Sequence, residues 1–197
     1  MASLRPYAML VVIAVLLAAP ASYFALKLDQ VNDEQREMYA YANLAAKKDI
    51  IKLYDEVYSL SILRDKLEKY GCNTSSLSSV EPGTYTYYVG VIGEARTASS
   101  NLESLLDIMY TVKKKPGLER LKDSVEALSY YLDNIGKELT KSKADKTSFN
   151  CSLLPDTGKA ERLSSLLRGI ASRYDDIGDI RYEEAEELYS ATVDIVG

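Results

Sequence analysis

The chain has 197 residues, with 24 Lys plus Arg against 29 Asp plus Glu, for a formal charge of −5. It contains no His and no Trp, two Phe, two Cys and sixteen Tyr. Those counts exclude histidine triads, zinc–histidine sites and imidazole pH switches, and the acidic balance speaks against nucleic acid as a partner.

Residues 6–26 carry no charge and are bracketed by Arg5 and Lys27. As a helix rising 1.5 Å per residue, such a run spans about 30 Å of hydrocarbon. The same stretch also reads as a secretory signal, with Arg5 in a short basic region, an apolar run over 7–18, and Ala19-Pro20-Ala21 where signal peptidase cuts. Retention is the preferred reading, because the apolar run continues through Tyr23, Phe24, Ala25 and Leu26. The expectation is therefore a single-pass protein of the cell membrane, touching lipid through residues 7–26, with the bulk of the chain extracytoplasmic. Cleavage after Ala21 would instead make it secreted.

Beyond the anchor, residues 1–26, the remainder, 27–197, reads as a helical bundle. No Pro or Gly interrupts residues 21–70. One helix is expected to run to Tyr70, with Ile50, Leu53, Val57, Leu60 and Leu67 on its inner seam and Gly71 as its stop. Ile92, Ala95, Ser99, Leu102, Leu106 and Met109 mark a second helix over 90–114. The run Tyr85-Thr86-Tyr87-Tyr88-Val89 before it suggests an irregular or extended start. Leu118, Leu121, Val125, Leu128, Leu132, Ile135 and Leu139 alternate three- and four-residue steps and mark a third helix over 116–140, with Pro116 at its first turn. A fourth is expected over 157–195 behind Asp156 and Thr157, with Leu163, Leu167, Ile170, Tyr174, Ile177, Leu188 and Ile195 facing inward. The expected fold is all-α: one N-terminal transmembrane helix continuing into an elongated up-down-up-down four-helix bundle.

That topology brings the loops 71–84 and 142–157 to one end. They hold both cysteines, so a Cys72–Cys151 disulfide is expected, stabilising the fold by roughly 4 to 5 kcal/mol through loop closure. Each cysteine adjoins a glycosylation sequon, Asn73-Thr74-Ser75 and Asn150-Cys151-Ser152, making Asn73 and Asn150 candidate glycan sites.

Charge is spent unevenly. Residues 174–197 hold eight acids against Arg181 alone, so this segment carries −7 and the rest of the chain +2. Asp175, Asp176, Asp179, Glu183, Glu184, Glu186 and Glu187 form a candidate acidic contact patch. It is expected beside Asp29, Asp33, Glu34 and Glu37, and away from Lys137, Lys141, Lys143 and Lys146. Tyr39, Tyr41, Tyr54, Tyr58, Tyr110, Tyr130, Tyr131, Tyr174, Tyr182 and Tyr189 divide between core packing and lateral protein contact.

Carboxylate pairs such as Asp175 with Asp179 and Glu183 with Glu187 share a helix face, but no phosphate-binding glycine loop or nucleophile elbow accompanies them. No catalytic residue, cofactor or metal is therefore expected. An apolar N-terminal helix leading into a four-helix ectodomain over 7–196 resembles chemoreceptor and sensor-kinase ligand-binding domains in architecture, with no motif that carries site residues across. A sensor reading, taken separately, would hold a ligand between helices near Arg96, Tyr130 and Tyr131. Those receptors carry a second span and a signalling module, which this sequence does not show. An apolar helix continuing into an exterior domain also resembles type IV pilins, though no prepilin peptidase site and no acid within the apolar run accompany it. The expected function is a non-enzymatic, membrane-anchored cell-surface protein. It would act as a stalk or contact subunit in an envelope, surface-layer or filament assembly, with other surface proteins or further copies of itself as partners. A sensor or solute-binding ectodomain signalling through a partner chain is the alternative, and a free small-molecule ligand is not expected for the structural role.

Overall fold

The computed structural model describes the backbone of residues 4–196 and the side chains of residues 27–196. The described chain is all-helical, with α1 (Leu4–Lys69), α2 (Thr74–Val80), α3 (Pro82–Lys113), α4 (Pro116–Asp145), α5 (Thr157–Arg173) and α6 (Tyr182–Val196). It divides into two compact units, Met1–Ala40 and Tyr41–Gly197. In the first, every side chain over 27–38 is exposed. Among the described residues no helix is long and apolar enough to cross a membrane. The expected span, residues 7–26, lies outside the described side chains.

The second unit is a helical bundle. α1 buries Ala42, Ala46, Ile50, Leu53, Val57, Leu60, Leu63 and Leu67, which recur in three- and four-residue steps and so share one face. It ends where Gly71 and Cys72 both turn left-handed, and the Cys72 N–H donates to the Leu67 carbonyl at 2.7 Å.

The expected loop 71–84 contains α2 instead. The Asn73 side chain caps it by accepting from the Ser76 N–H at 2.9 Å, and Leu77 plugs into the core. α3 begins at Pro82, eight residues earlier than its expected start, with Pro in its first turn. The tyrosine run is helical because Tyr85 and Tyr88 extend the buried series Ile92, Ala95, Ser99, Leu102, Leu106 and Met109 by two further steps. Tertiary burial outweighs their strand propensity. α4 also outlasts its expected end, running to Asp145, because Ser142 is buried against Thr74 at 3.2 Å between hydroxyl oxygens.

The expected fourth helix, 157–195, is broken in two. Ile177 and Ile180 are both buried, and the chain leaves the helix between α5 and α6 to seat them. Asp176 accepts from the Gly178 N–H at 2.8 Å to form the turn. Asn43 of α1 clamps it, donating to the Asp175 carbonyl at 2.9 Å and accepting from the Ile177 N–H at 2.8 Å.

α5 descends along α1, with Ser164 donating to the Tyr54 carbonyl at 3.1 Å. α6 then returns. Its start lies beside the start of α4, and its end meets α5 through Arg162 and Asp194 at 2.8 Å. The up-down-up-down expectation is thus extended by one helix, and α6 runs parallel to α4 rather than completing α5.

Candidate functional site

One end of the second unit is stapled. Cys72 and Cys151 are disulfide-bonded across 79 residues, with Cα atoms 5.8 Å apart. Around them the two loops pair as backbone: Asn73 and Ser148 form an isolated antiparallel bridge, and the Phe149 N–H donates to the Cys72 carbonyl at 2.8 Å. Phe149 and Leu154 are buried beneath.

The two sequon asparagines flank this staple. Asn150 is exposed and Asn73 half-buried, and each accepts through Oδ1, from Ser152 and Ser76 respectively. Those bonds leave the amide nitrogens, the atoms a glycan would take, outside the capping interactions.

Several acidic residues of the C-terminal segment are engaged in ion pairs. Asp176 and Asp179 accept from Lys113 at 2.7 and 2.8 Å, and Asp179 also from Lys115 at 2.5 Å. These lysines hold the Asp179 carboxyl below its ordinary value. Glu184 gathers Arg173, Arg181 and the Tyr174 hydroxyl, while Arg120 grips Glu186 through two nitrogens at 2.6 and 3.1 Å. Four of the seven candidate acids therefore tie the α5–α6 turn and α6 to the bundle. Asp175, Glu183 and Glu187 face solvent. Among the described residues no group of three or more acids or cysteines is placed to hold a metal ion.

Open depressions mark the surface of the described residues. A groove of about 690 Å³ between α1 and α3 is lined by Glu56, Pro82, Gly83, Thr86, Tyr87, Gly90, Val91 and Glu94. It exists because α3 turns glycines toward it: a β-carbon on Gly83 or Gly90 would meet nothing within 4 Å. Burial first, and then Glu94, raise the Glu56 carboxyl above its ordinary value, while Glu94 pairs with Lys52 at 2.9 Å. The second depression, about 370 Å³, is lined by Arg96, Ser100, Glu103, Glu126, Ser129, Tyr130 and Asp133. It unites Arg96 with Tyr130, but Tyr131 is buried on another face and donates to the Leu153 carbonyl at 2.7 Å.

The remaining feature is the outer face of α1. Tyr41, Leu44, Ile51, Tyr58 and Ile62 are 71%, 72%, 50%, 42% and 38% exposed, although all are large and apolar. No family model, curated protein or solved structure matches this chain. Function must therefore be argued from such surfaces.

Single exposed apolar residues are ordinary, but these five fall in register. Leu44, Ile51 and Tyr58 recur every seven residues, and Tyr41 and Ile62 belong to a second seven-residue series beside them. At 100° per residue this stripe lies opposite the buried one. The sequence signal for it was the heptad recurrence itself. It was hidden because α1 is apolar on both faces, so that the stronger inner seam absorbed the pattern.

Proposed function

We propose that the chain is a non-enzymatic, membrane-anchored cell-surface protein whose helical bundle is a contact subunit, or stalk, in a larger envelope, surface-layer or filament assembly. The observation that carries this reading is the outer face of α1, where five large apolar side chains stand exposed in one row. Interfaces concentrate such residues, tyrosine above all, and leaving them in water is unfavourable by about 25 cal/mol for each Å² that a partner would cover.

The anchor is carried by the uncharged run over 6–26, and the extracytoplasmic side by the disulfide, a bond characteristic of oxidising compartments. Glycans at Asn73 and Asn150 would keep the stapled end hydrated. The ion pairs that occupy Asp176, Asp179, Glu184 and Glu186 favour a structural role for these acids, leaving Asp175, Glu183 and Glu187 as the part of the patch open to a basic partner.

Two measurements test this reading. Intact mass of the native protein, before and after deglycosylation, reports residues 1–21 and the glycans together; a mass beginning at Ser22 would remove the anchor. Gentle solubilisation of native membranes should release the protein within a larger complex, and recovery as a free single chain would sink the contact role.

A sensor or solute-binding ectodomain is the second reading, favoured by Arg96 and Tyr130 lining one depression. A small metabolite that raises the melting temperature specifically, and loses that effect with Arg96→Ala, would select it.

A further inference from the structure

Over residues 41–65 the exposed positions of α1 that keep strict heptad spacing form two columns. One holds Leu44, Ile51, Tyr58 and, at its end, Asp65; the other holds Tyr41, Lys48, Asp55 and Ile62. This is the a/d arrangement of a helix that packs along a seam with another helix. The inner seam of α1 already faces its own bundle, and the outer one is left uncovered by the described residues. Its length, 21 steps of 1.5 Å, is about 32 Å, or three heptads.

Two charges inside the apolar stretch 41–62 identify the occupant. Lys48 and Asp55 are exposed, and each interrupts an otherwise apolar seam, where a lone polar residue sets register and orientation. A parallel, in-register pairing of two copies would set lysine against lysine and aspartate against aspartate, which is repulsive. In an antiparallel pairing with its two-fold axis at Ile51, Ile51 meets its own copy and Leu44 faces Tyr58 of the other chain. Lys48 then comes within one residue's rise of Asp55 of the other chain, and Tyr41 within one of Ile62. Within the apolar stretch 41–62 each position finds its complement and both ion pairs form at once, while Asp65 lies past the end of that stretch. This is what a two-fold, self-complementary interface requires.

We infer that α1 pairs with α1 of a second copy of this chain, antiparallel, through the stripe Tyr41, Leu44, Lys48, Ile51, Asp55 and Tyr58. This deepens the contact role proposed above by naming the partner; it rests on that role and not on the anchor.

The test uses the full-length chain in mild detergent and reads its mass over a concentration series. The wild type should dimerise. Lys48→Glu should weaken the dimer at least about tenfold, and Lys48→Glu with Asp55→Lys should restore it to within about twofold, as expected for a close interfacial charge pair. Both substituted positions are solvent-exposed, so the variants leave the core intact.

Orientation is read with a short bismaleimide, which does not attack the native disulfide. Leu44→Cys mixed with Tyr58→Cys should give a cross-linked dimer, and Leu44→Cys alone should not. A chain that stays monomeric, a dimer indifferent to Lys48→Glu, or cross-linking of Leu44→Cys to itself or to Ile51→Cys would each overturn the inference. If the chain stays monomeric but native membranes still yield it in a complex, the second copy fails while the contact role stands. If both are negative, both fail.

Discussion

The carbonyl oxygen of Ile180 occupies the space in which a side chain on Gly117 would begin: a β-carbon there would lie 2.2 Å from it. Gly117 therefore lets the α5–α6 turn close onto the first turn of α4, where Pro116 has already removed a backbone donor. Since the obstacle is backbone, it cannot rotate away.

Gly117→Ala is expected to destabilise the fold by about 2 kcal/mol or more, the range for forcing extra volume into a packed contact. Gly90→Ala supplies the internal comparison. A β-carbon at Gly90 meets nothing within 4 Å, so alanine should be neutral or stabilising by up to about 1 kcal/mol within a helix. Urea denaturation of both variants checks the pair, and equal midpoints would refute the close approach.

Removing the staple should matter through the unfolded chain. With Cys72 and Cys151 separated by 79 positions, the loop-closure estimate is about 4 to 5 kcal/mol. The double variant Cys72→Ala, Cys151→Ala should lose stability of that order. Native-state hydrogen exchange should rise first around Asn73 and Ser148, whose bridge the bond holds together. Unchanged exchange at these amides would show that the loops hold themselves.

Acid should weaken the join between α1 and α3. Lys66, then Tyr70 and Thr84, donate to the Glu81 carboxylate and hold its pKa at about 2, against an ordinary value of 4.5. Because the folded value lies below the unfolded one, its contribution is complete above about pH 4.5 and is lost as the pH falls through about 2. The stability difference between the native chain and Glu81→Gln should therefore shrink across that window. A difference that stays constant from neutral pH to pH 2 contradicts the assignment.

The Tyr131 hydroxyl donates to the Leu153 carbonyl at 2.7 Å from a buried ring, and burial raises its pKa above the ordinary tyrosine value. Tyr131→Phe keeps the packing and removes one hydrogen bond, for a loss of about 1 kcal/mol. If thermal unfolding of the variant matches the native chain, the carbonyl finds another donor.

Much of the inner architecture could be read from residue order. Ile50, Leu53, Val57, Leu60 and Leu67 are buried as their spacing requires, as are the α4 series and most of the inward residues of α5 and α6. The two cysteine loops met because short connections make neighbouring helices antiparallel. Burial of the tyrosines was harder to read. Tyr85, Tyr88 and Tyr131 are core, whereas Tyr41, Tyr58, Tyr87, Tyr130 and Tyr182 are exposed, and an amphipathic ring suits either place.

What the sequence by itself determined was periodicity: an uncharged run of membrane length, inward seams at three- and four-residue steps, and a cysteine in each of two loops that a bundle places together. Periodicity is local, so it survives without knowledge of neighbours. Tertiary structure alone decided where a seam stops being one helix. The period continues through Tyr174 and Ile177, but Asn43, 131 residues before Tyr174, takes up the backbone of the turn that breaks it. It also decided which of the two apolar faces of α1 the bundle uses. Once α3 and α5 cover the inner face, the outer one is left exposed, and that exposed row is the surface the proposed pairing with a second copy would use.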